Sequence, residues 1–312
     1  MSNPNFDAIV ATTLKNYLPK LEDNVFTARP FVFFLKQAGQ IRTISGGTNI
    51  VLPLIYAQNT TAGSFSGYDV IPTTPQDGIS AAEFGWKQYA VSVAISGREE
   101  RMNNSDQEVI DLLEAKVMQA EETVLEQLDN MFFLDGTGNS SKDFLGLDRL
   151  VAQNTIAVGG IDPSTNAYWA SNIGTPAGVL TLNTMETAYN TATVGNDRPN
   201  VILTTQTLYE KYNSLLQNNQ RFVDVQTADA GFENLAFHTA PVTYDTYCQS
   251  GRVYMLNSKY IRLVGHSDCW FKPTPFQRPP DQDARYMQIL LQGELTISNR
   301  KRHSVMLAQT AV

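Results

Sequence analysis

The stretch Trp86–Lys116, WKQYAVSVAISGREERMNNSDQEVIDLLEAK, changes its apolar period in mid-course. Tyr89, Val91, Val93 and Ile95 alternate with Gln88, Ala90, Ser92 and Ala94. That is the period-two pattern of a half-exposed antiparallel strand. From Ser105 the period becomes helical. Ile110, Leu113, Val117, Val124, Leu128 and Met131 form one stripe, with Leu112, Leu125 and Phe132 beside it. Ser105 and Glu108 form an S-x-x-E capping box, and Asp106 and Glu108 suit the positive end of a helix. Glu114, Glu121, Glu122 and Glu126 mark the opposite face as solvated. The helix expected over 105–134 is about 40 Å long at ~1.5 Å per residue, a length that suits a structural spine. The intervening "REER", Arg98–Arg101, reads as a charged junction forming salt bridges between hairpin and helix, in preference to an acid/base cluster.

The helix runs out in MFFLDGTGNSSKDFLGL, Met131–Leu147. Gly136 suits the left-handed backbone past a helix C-terminus. A phosphate loop needs G-x-x-x-x-G-K-[ST] between a strand and a helix. Counted from Gly136, Ser141 stands where the second Gly belongs, Asp143 follows Lys142, and the loop follows a helix. Asp135, Thr137, Asn139, Ser141 and Asp143 alternate as oxygen donors, as in a calcium loop. Ser140 replaces its turn Gly, however, and Gly146 its bidentate Glu. A solvated turn is the reading that remains.

Upstream, "NIVLPLIY" (49–56) is a strand, and "FGWKQYAVSVAIS" (84–96) is expected to close a hairpin with it. Between them lies the Gly-, Ser-, Thr- and Pro-rich stretch "AQNTTAGSFSGYDVIPTTPQDGISAA". A loop that long is uncommon in a compact domain and is often functional. An isolated hairpin is marginal in water, so the ribbon must lie on its own domain or on a neighbouring subunit. Nearer the N-terminus, Phe6, Ile9, Val10, Leu14, Tyr17 and Leu18 follow helical spacing until Pro19. Phe31–Leu35, directly after Pro30, is a dense apolar cluster that must dock on its own core or on a neighbour.

Downstream, "LTLNTMETAYNTA" and "TQTLYEKYNSLLQNN" read as helices. "NVILT", "APVTYD", "GRVYMLN", "KYIRLVGH", "YMQILLQGELTIS" and "HSVMLAQT" read as strands, the last two antiparallel. The order indicates an α+β fold and not a βαβ repeat.

A chain of 312 residues, 42% hydrophobic and 17% charged, is globular and buries a large core. No run of 18 apolar residues suggests a membrane span, and the N-terminus has no basic-then-apolar signal. A net charge of −8 argues against tight nucleic-acid binding. The run Arg300-Lys301-Arg302-His303 is the exception, read as a charged strand edge or as a weak DNA contact. Cys248 and Cys269 offer neither a disulfide framework nor a metal spacing, and a reducing compartment fits them. His238, His266 and His303 belong to no triad or metal motif. No catalytic, cofactor or metal residues are assigned, which argues against an enzyme.

The order of segments resembles the major capsid protein of tailed double-stranded DNA phages, the Hong Kong 97-type fold. "GGTNIVLPLIY" looks like the opening of its extended loop, Trp86–Lys116 like the passage into its spine helix, and "LDGTGNSSKDFLGL" like the helix end. "APVTYDTYCQSGRVYMLNSKYIRL" is similar to its axial segment. The resemblance implies an N-terminal arm (1–42), an extended loop (43–100), a peripheral domain (101–179 and 269–312) and an axial domain (180–268). It implies pentamers and hexamers closing an icosahedral shell around a genome in a virion assembled in the host cytoplasm. Separate scaffolding, portal and decoration proteins, and weakly held DNA, are further partners. The type member's long charged scaffolding segment does not precede the arm here, so assembly help is expected from a separate protein or a removed leader. An encapsulin-type nanocompartment shell is the alternative. The expected inter-subunit contacts are Phe31, Phe33, Phe34, Tyr68, Lys87, Arg98, Glu99, Glu100 and Arg101. Some relatives cross-link through a Lys on the extended loop. Lys87 is the sole Lys between 43 and 100, and an ordinary strand lysine is the favoured reading.

Overall fold

A computed structural model describes residues 29–102, 106–174, 177–216 and 235–311. The helix expected over 5–18 and the Ser105–Glu108 capping box lie outside the described residues and side chains.

Pro30 opens α1 (Pro30–Gln37), where its fixed φ and missing N–H cost nothing. Phe31, Val32, Phe34 and Leu35 are buried in the chain's own main core. The Phe31 ring lies edge-on to Phe132, with centroids 5.8 Å apart, and 6.1 Å from Phe133. Burying each such side chain contributes about 2 kcal/mol, which settles α1 on its own core and not on a neighbour.

Strands β1 (Ile41–Ile44), β2 (Asn49–Ile55), β3 (Ile79–Gly85) and β4 (Lys87–Ser96) follow. The hairpin differs from expectation. β2 pairs antiparallel with β3, from Asn49↔Gly85 to Ile55↔Ile79, and β4 instead pairs with a late strand. The ISAA segment, which its small residues made look like loop, is strand because Ala82 and Phe84 alternate inward with Leu52 and Ile50 opposite.

After the short α2 (Gly97–Met102) comes α3 (Asp106–Phe133), 28 residues long. Val117 and Ala120 pack beneath Val93 and Ile95 of β4, while Val124, Leu128, Met131 and Phe132 enter the main core. One acid of the supposedly solvated face is half-buried: desolvation pushes Glu121 up to about 7.

The remaining elements are α4 (Leu147–Leu150), β5 (Asn172–Gly174), β6 (Gly178–Val179), α5 (Leu182–Ala192), β7 (Val201–Thr204), α6 (Gln206–Leu216), β8 (Leu235–Phe237), β9 (Ala240–Tyr244), β10 (Val253–Leu256), β11 (Ile261–His266), β12 (Lys272–Pro273), β13 (Ala284–Ile297), β14 (Ser304–Met306) and β15 (Gln309–Thr310).

Two sheets organise them. In the first, β13 pairs with β4 along residues 284–293 and with β11 along 293–297, while β1 adds parallel to β11. The second runs β5-β14-β10-β7-β9-β8. Its central strands are buried on both faces. Val201, Leu203, Tyr254 and Leu256 enter the main core. Ile202, Val253 and Met255 face the other way, into a core shared with Tyr189 of α5 and Tyr212 of α6. A strand covered on both sides reads as a continuous apolar run, which is how "NVILT" reads.

Sheet membership departs from the expected division in two places. β11, expected in the axial segment, belongs to the first sheet, and β14, expected in the peripheral segment, lies inside the second. β14 pairs antiparallel with β10 and parallel with β5, and β7 pairs parallel with β9.

Candidate functional site

The β2–β3 ribbon has a docked base and an uncovered tip. At the base, Glu83 N–H donates to Gly159 O at 2.9 Å, and a Cβ on Gly159 would crowd Ala82 and Phe84. The Tyr56 ring stacks on Tyr168 at 4.7 Å. Beyond Tyr56 the loop 57–78 leaves its apolar side chains in water. Tyr68 is fully exposed, and Val70, Ile55 and Ile79 are at least three-quarters exposed. Among the described residues, eight of the sixteen exposed large hydrophobics lie between 51 and 79. Such a concentration marks an interaction surface. Between Arg42 and Lys87 the sequence holds no Lys or Arg, and its charges are Asp69, Asp77 and Glu83. An acidic, apolar tip repels phosphate and suits a protein partner.

The expected contact residues are brought together only in part. Tyr68 sits at the tip. Phe31 and Phe34 are buried inside their own chain and leave no surface for a neighbour, while Phe33 is half-buried against the same core. Lys87 Nζ donates to Ser141 O in the loop after α3. Arg98 is exposed. Glu99 accepts from Lys116 Nζ of α3 at 3.0 Å and from Ser96 N at 3.2 Å, and the lysine holds its carboxyl below the usual range. The junction therefore carries a salt bridge to the long helix, though from α2 and not from the hairpin. The side chains of Glu100 and Arg101 lie outside the described residues.

The loop after α3 is a locked turn. Gly136 has φ +74°, and Asn139, Ser140 and Ser141 are left-handed as well. Asp135 Oδ1 accepts from Thr137 N at 3.0 Å and Thr137 Oγ1 at 2.8 Å. A Cβ on Gly146 would strike the carbonyl oxygens of Met131, Phe132 and Leu134 at the helix end. Glu294 Oε1 accepts from Leu145 N at 2.8 Å and Leu295 N at 3.0 Å, and full burial pushes this carboxyl up to about 8. Among the described residues no group of three or more His, Cys, Asp or Glu could hold a metal.

The RKRH run is not a charged strand edge, and Lys301 is its one exposed residue. Arg300 is buried, with its guanidinium donating to Leu150 O at 2.8 Å, Trp169 O at 3.1 Å and Gln153 O. His303 is buried and held neutral, its pKa pushed down to about 3, and its Nδ1 accepts from Asn257 N. Arg302 pairs with Asp197 at 3.5 Å, which leaves Lys301 exposed.

Sequence reasoning missed the tip residues Phe65, Val70, Ile55 and Ile79. The apolar pair Val70-Ile71 amid Gly, Ser and Thr was their signal. It also missed the buried acids Asp129, Asp245 and Glu294. Asp129 falls between Leu125 and Phe132 at helical spacing, beside an apolar stripe.

Neither a protein-family model nor a curated protein matches the sequence. Solved structures do. The capsid asymmetric unit of cyanophage A-1(L) superposes with a TM-score of 0.70 at 16% identity, over 89% of this chain and 92% of that one. The chain has the Hong Kong 97-type capsid fold. The capsid of a native GTA particle follows at TM-score 0.58 and 9% identity, covering 88% and 90%. The holo-SrpI encapsulin complex of Synechococcus elongatus PCC 7942 gives 0.56 and 8%, covering 89% and 88%. No described helix is long and apolar enough to cross a membrane.

Proposed function

We propose that this chain is the major capsid protein of a tailed double-stranded DNA phage, assembling as pentamers and hexamers into an icosahedral shell around the genome. The observation that carries the reading is the uncovered apolar tip of a ribbon whose base is docked, on a fold also seen in phage capsids. A tip of this kind gains stability only when a second copy covers it, and stable interfaces bury roughly 1,600 Å². Closed symmetry then ends growth at a finite particle. A structural role with no catalytic residues, scaffolding, portal and decoration partners, residence in the virion and assembly in the host cytoplasm belong to the same proposal.

In this reading residues 1–42 form the arm and 43–100 the extended loop. The peripheral domain is 101–179 with 269–312, and the axial domain is 180–268, with β11 joining the first and β14 the second. Of the expected contacts, Tyr68, Arg98, Glu100, Arg101 and the exposed face of Phe33 remain candidates. They are joined by Val70, Ile55 and Ile79. Contact with DNA would be weak and non-specific, since the RKRH run is largely internal.

The test is a tip variant. Tyr68→Asp with Val70→Asp alters only exposed side chains, so thermal stability should hold while shell formation is lost, because charge enters a dry contact. Normal particle yield from that variant would overturn the tip's role. The encapsulin-type reading rests on the SrpI likeness. Wild-type particles carrying protein cargo and no DNA would favour it.

A further inference from the structure

Asp129 of α3 and Asp245, the residue after β9, are both buried, and each carboxyl perturbs the other's ionisation. A hydrogen bond between two carboxyls requires a proton. Asp129 Oδ1 and Asp245 Oδ2 are both buried with no hydrogen-bond partner among the described residues, so a proton held between the carboxyls would satisfy them. Asp245 Oδ1 accepts from Tyr247 N at 3.0 Å, and its backbone N–H is fixed to Thr204 O of β7 at 3.0 Å. The surrounding charged and titratable groups come from three directions. Arg29, ahead of α1, places Nη1 4.0 Å from Asp129 Oδ2 and is partly exposed. Glu126 of α3 accepts from the Tyr247 hydroxyl. Cys248 and Arg252 follow on the Asp245 side.

We propose that Asp129 and Asp245 share one proton and form an acid-held latch between the spine helix and the second sheet, which loosens when that proton leaves. Two buried carboxylates in contact cannot both ionise without strong repulsion. One partly exposed guanidinium at 4.0 Å compensates only in part. Burial and mutual repulsion hold Asp129 well above the usual carboxylate range, and burial raises Asp245 too. The folded state thus keeps a proton that the unfolded chain releases, and the latch weakens as pH rises. The inference does not depend on shell formation.

The test is hydrogen exchange on the full chain at about pH 6.5 and about pH 9.5, corrected for intrinsic rates. In the wild type, protection of the Tyr247 and Cys248 amides should fall by about tenfold or more, while β7 amides hold. Asp129→Asn supplies a permanent N–H donor to Asp245, and protection should then be the same at both pH values. If that variant does not fold, Asp245→Asn places the donor on the other side and should behave likewise. Three results overturn the latch: unchanged wild-type protection, a loss shared equally by β7, or variants that lose protection as the wild type does.

Discussion

Lys87 Nζ donates to the carbonyl oxygen of Ser141, 54 positions further along the chain. The first residue of β4 thereby holds the loop that ends the spine helix. Replacing it by methionine keeps the stem and removes the donor. Lys87→Met should lower stability by about 1 kcal/mol and expose the 137–142 loop to proteolysis. An unchanged melting curve and digestion pattern would show that the bond is not made in solution. The same bond engages the amine that a cross-link would need, so denaturing gels of assembled particles should show monomer.

Arg300 satisfies three backbone carbonyls from two segments, at Leu150, Gln153 and Trp169. Methionine would fill part of the space and leave all three without that donor. Arg300→Met should cost about 3 kcal/mol or more, read as a drop in urea midpoint. A loss below about 1 kcal/mol would mean that water replaces the guanidinium.

Glu294 carries a raised pKa of about 8 in the fold, against 4.5 for the ordinary group. Between those values the folded state binds the extra proton, so stability is highest below about 4.5, falls as pH rises towards 8 and levels off above it. Glutamine keeps Oε1 as acceptor for Leu145 and Leu295 and never ionises. Glu294→Gln should match the wild type near about pH 4 and exceed it by several kcal/mol, at most about 5, near about pH 9. Parallel pH profiles for the two proteins would contradict this.

Much of the fold was legible where one face of an element is buried. Tyr89 to Ile95 alternated as a strand and do face α3, and Gly136 announced the helix end. Pairing was less legible. β4 is followed to its partner β13 only through almost two hundred residues, and the nearer strand β2 seemed the simpler mate. The RKRH run misled because charge reads as exposure, while Arg300 is buried around carbonyls that no sequence pattern reveals. The tip was only half visible. Tyr68 was singled out, but whether Ile55 and Ile79 point to core or to water depends on a register that Ala82 and Phe84 fix in three dimensions. Phe31 and Phe34 showed the converse, an apolar cluster that could dock anywhere and docks at home.

The central claim is self-assembly. Electron microscopy of the purified protein, with a sizing column beside it and again after co-production with the proteins encoded beside it, tests it most directly. Uniform closed shells, or rings of five and six subunits, are the predicted result. A monodisperse monomer or dimer under both conditions would contradict the account.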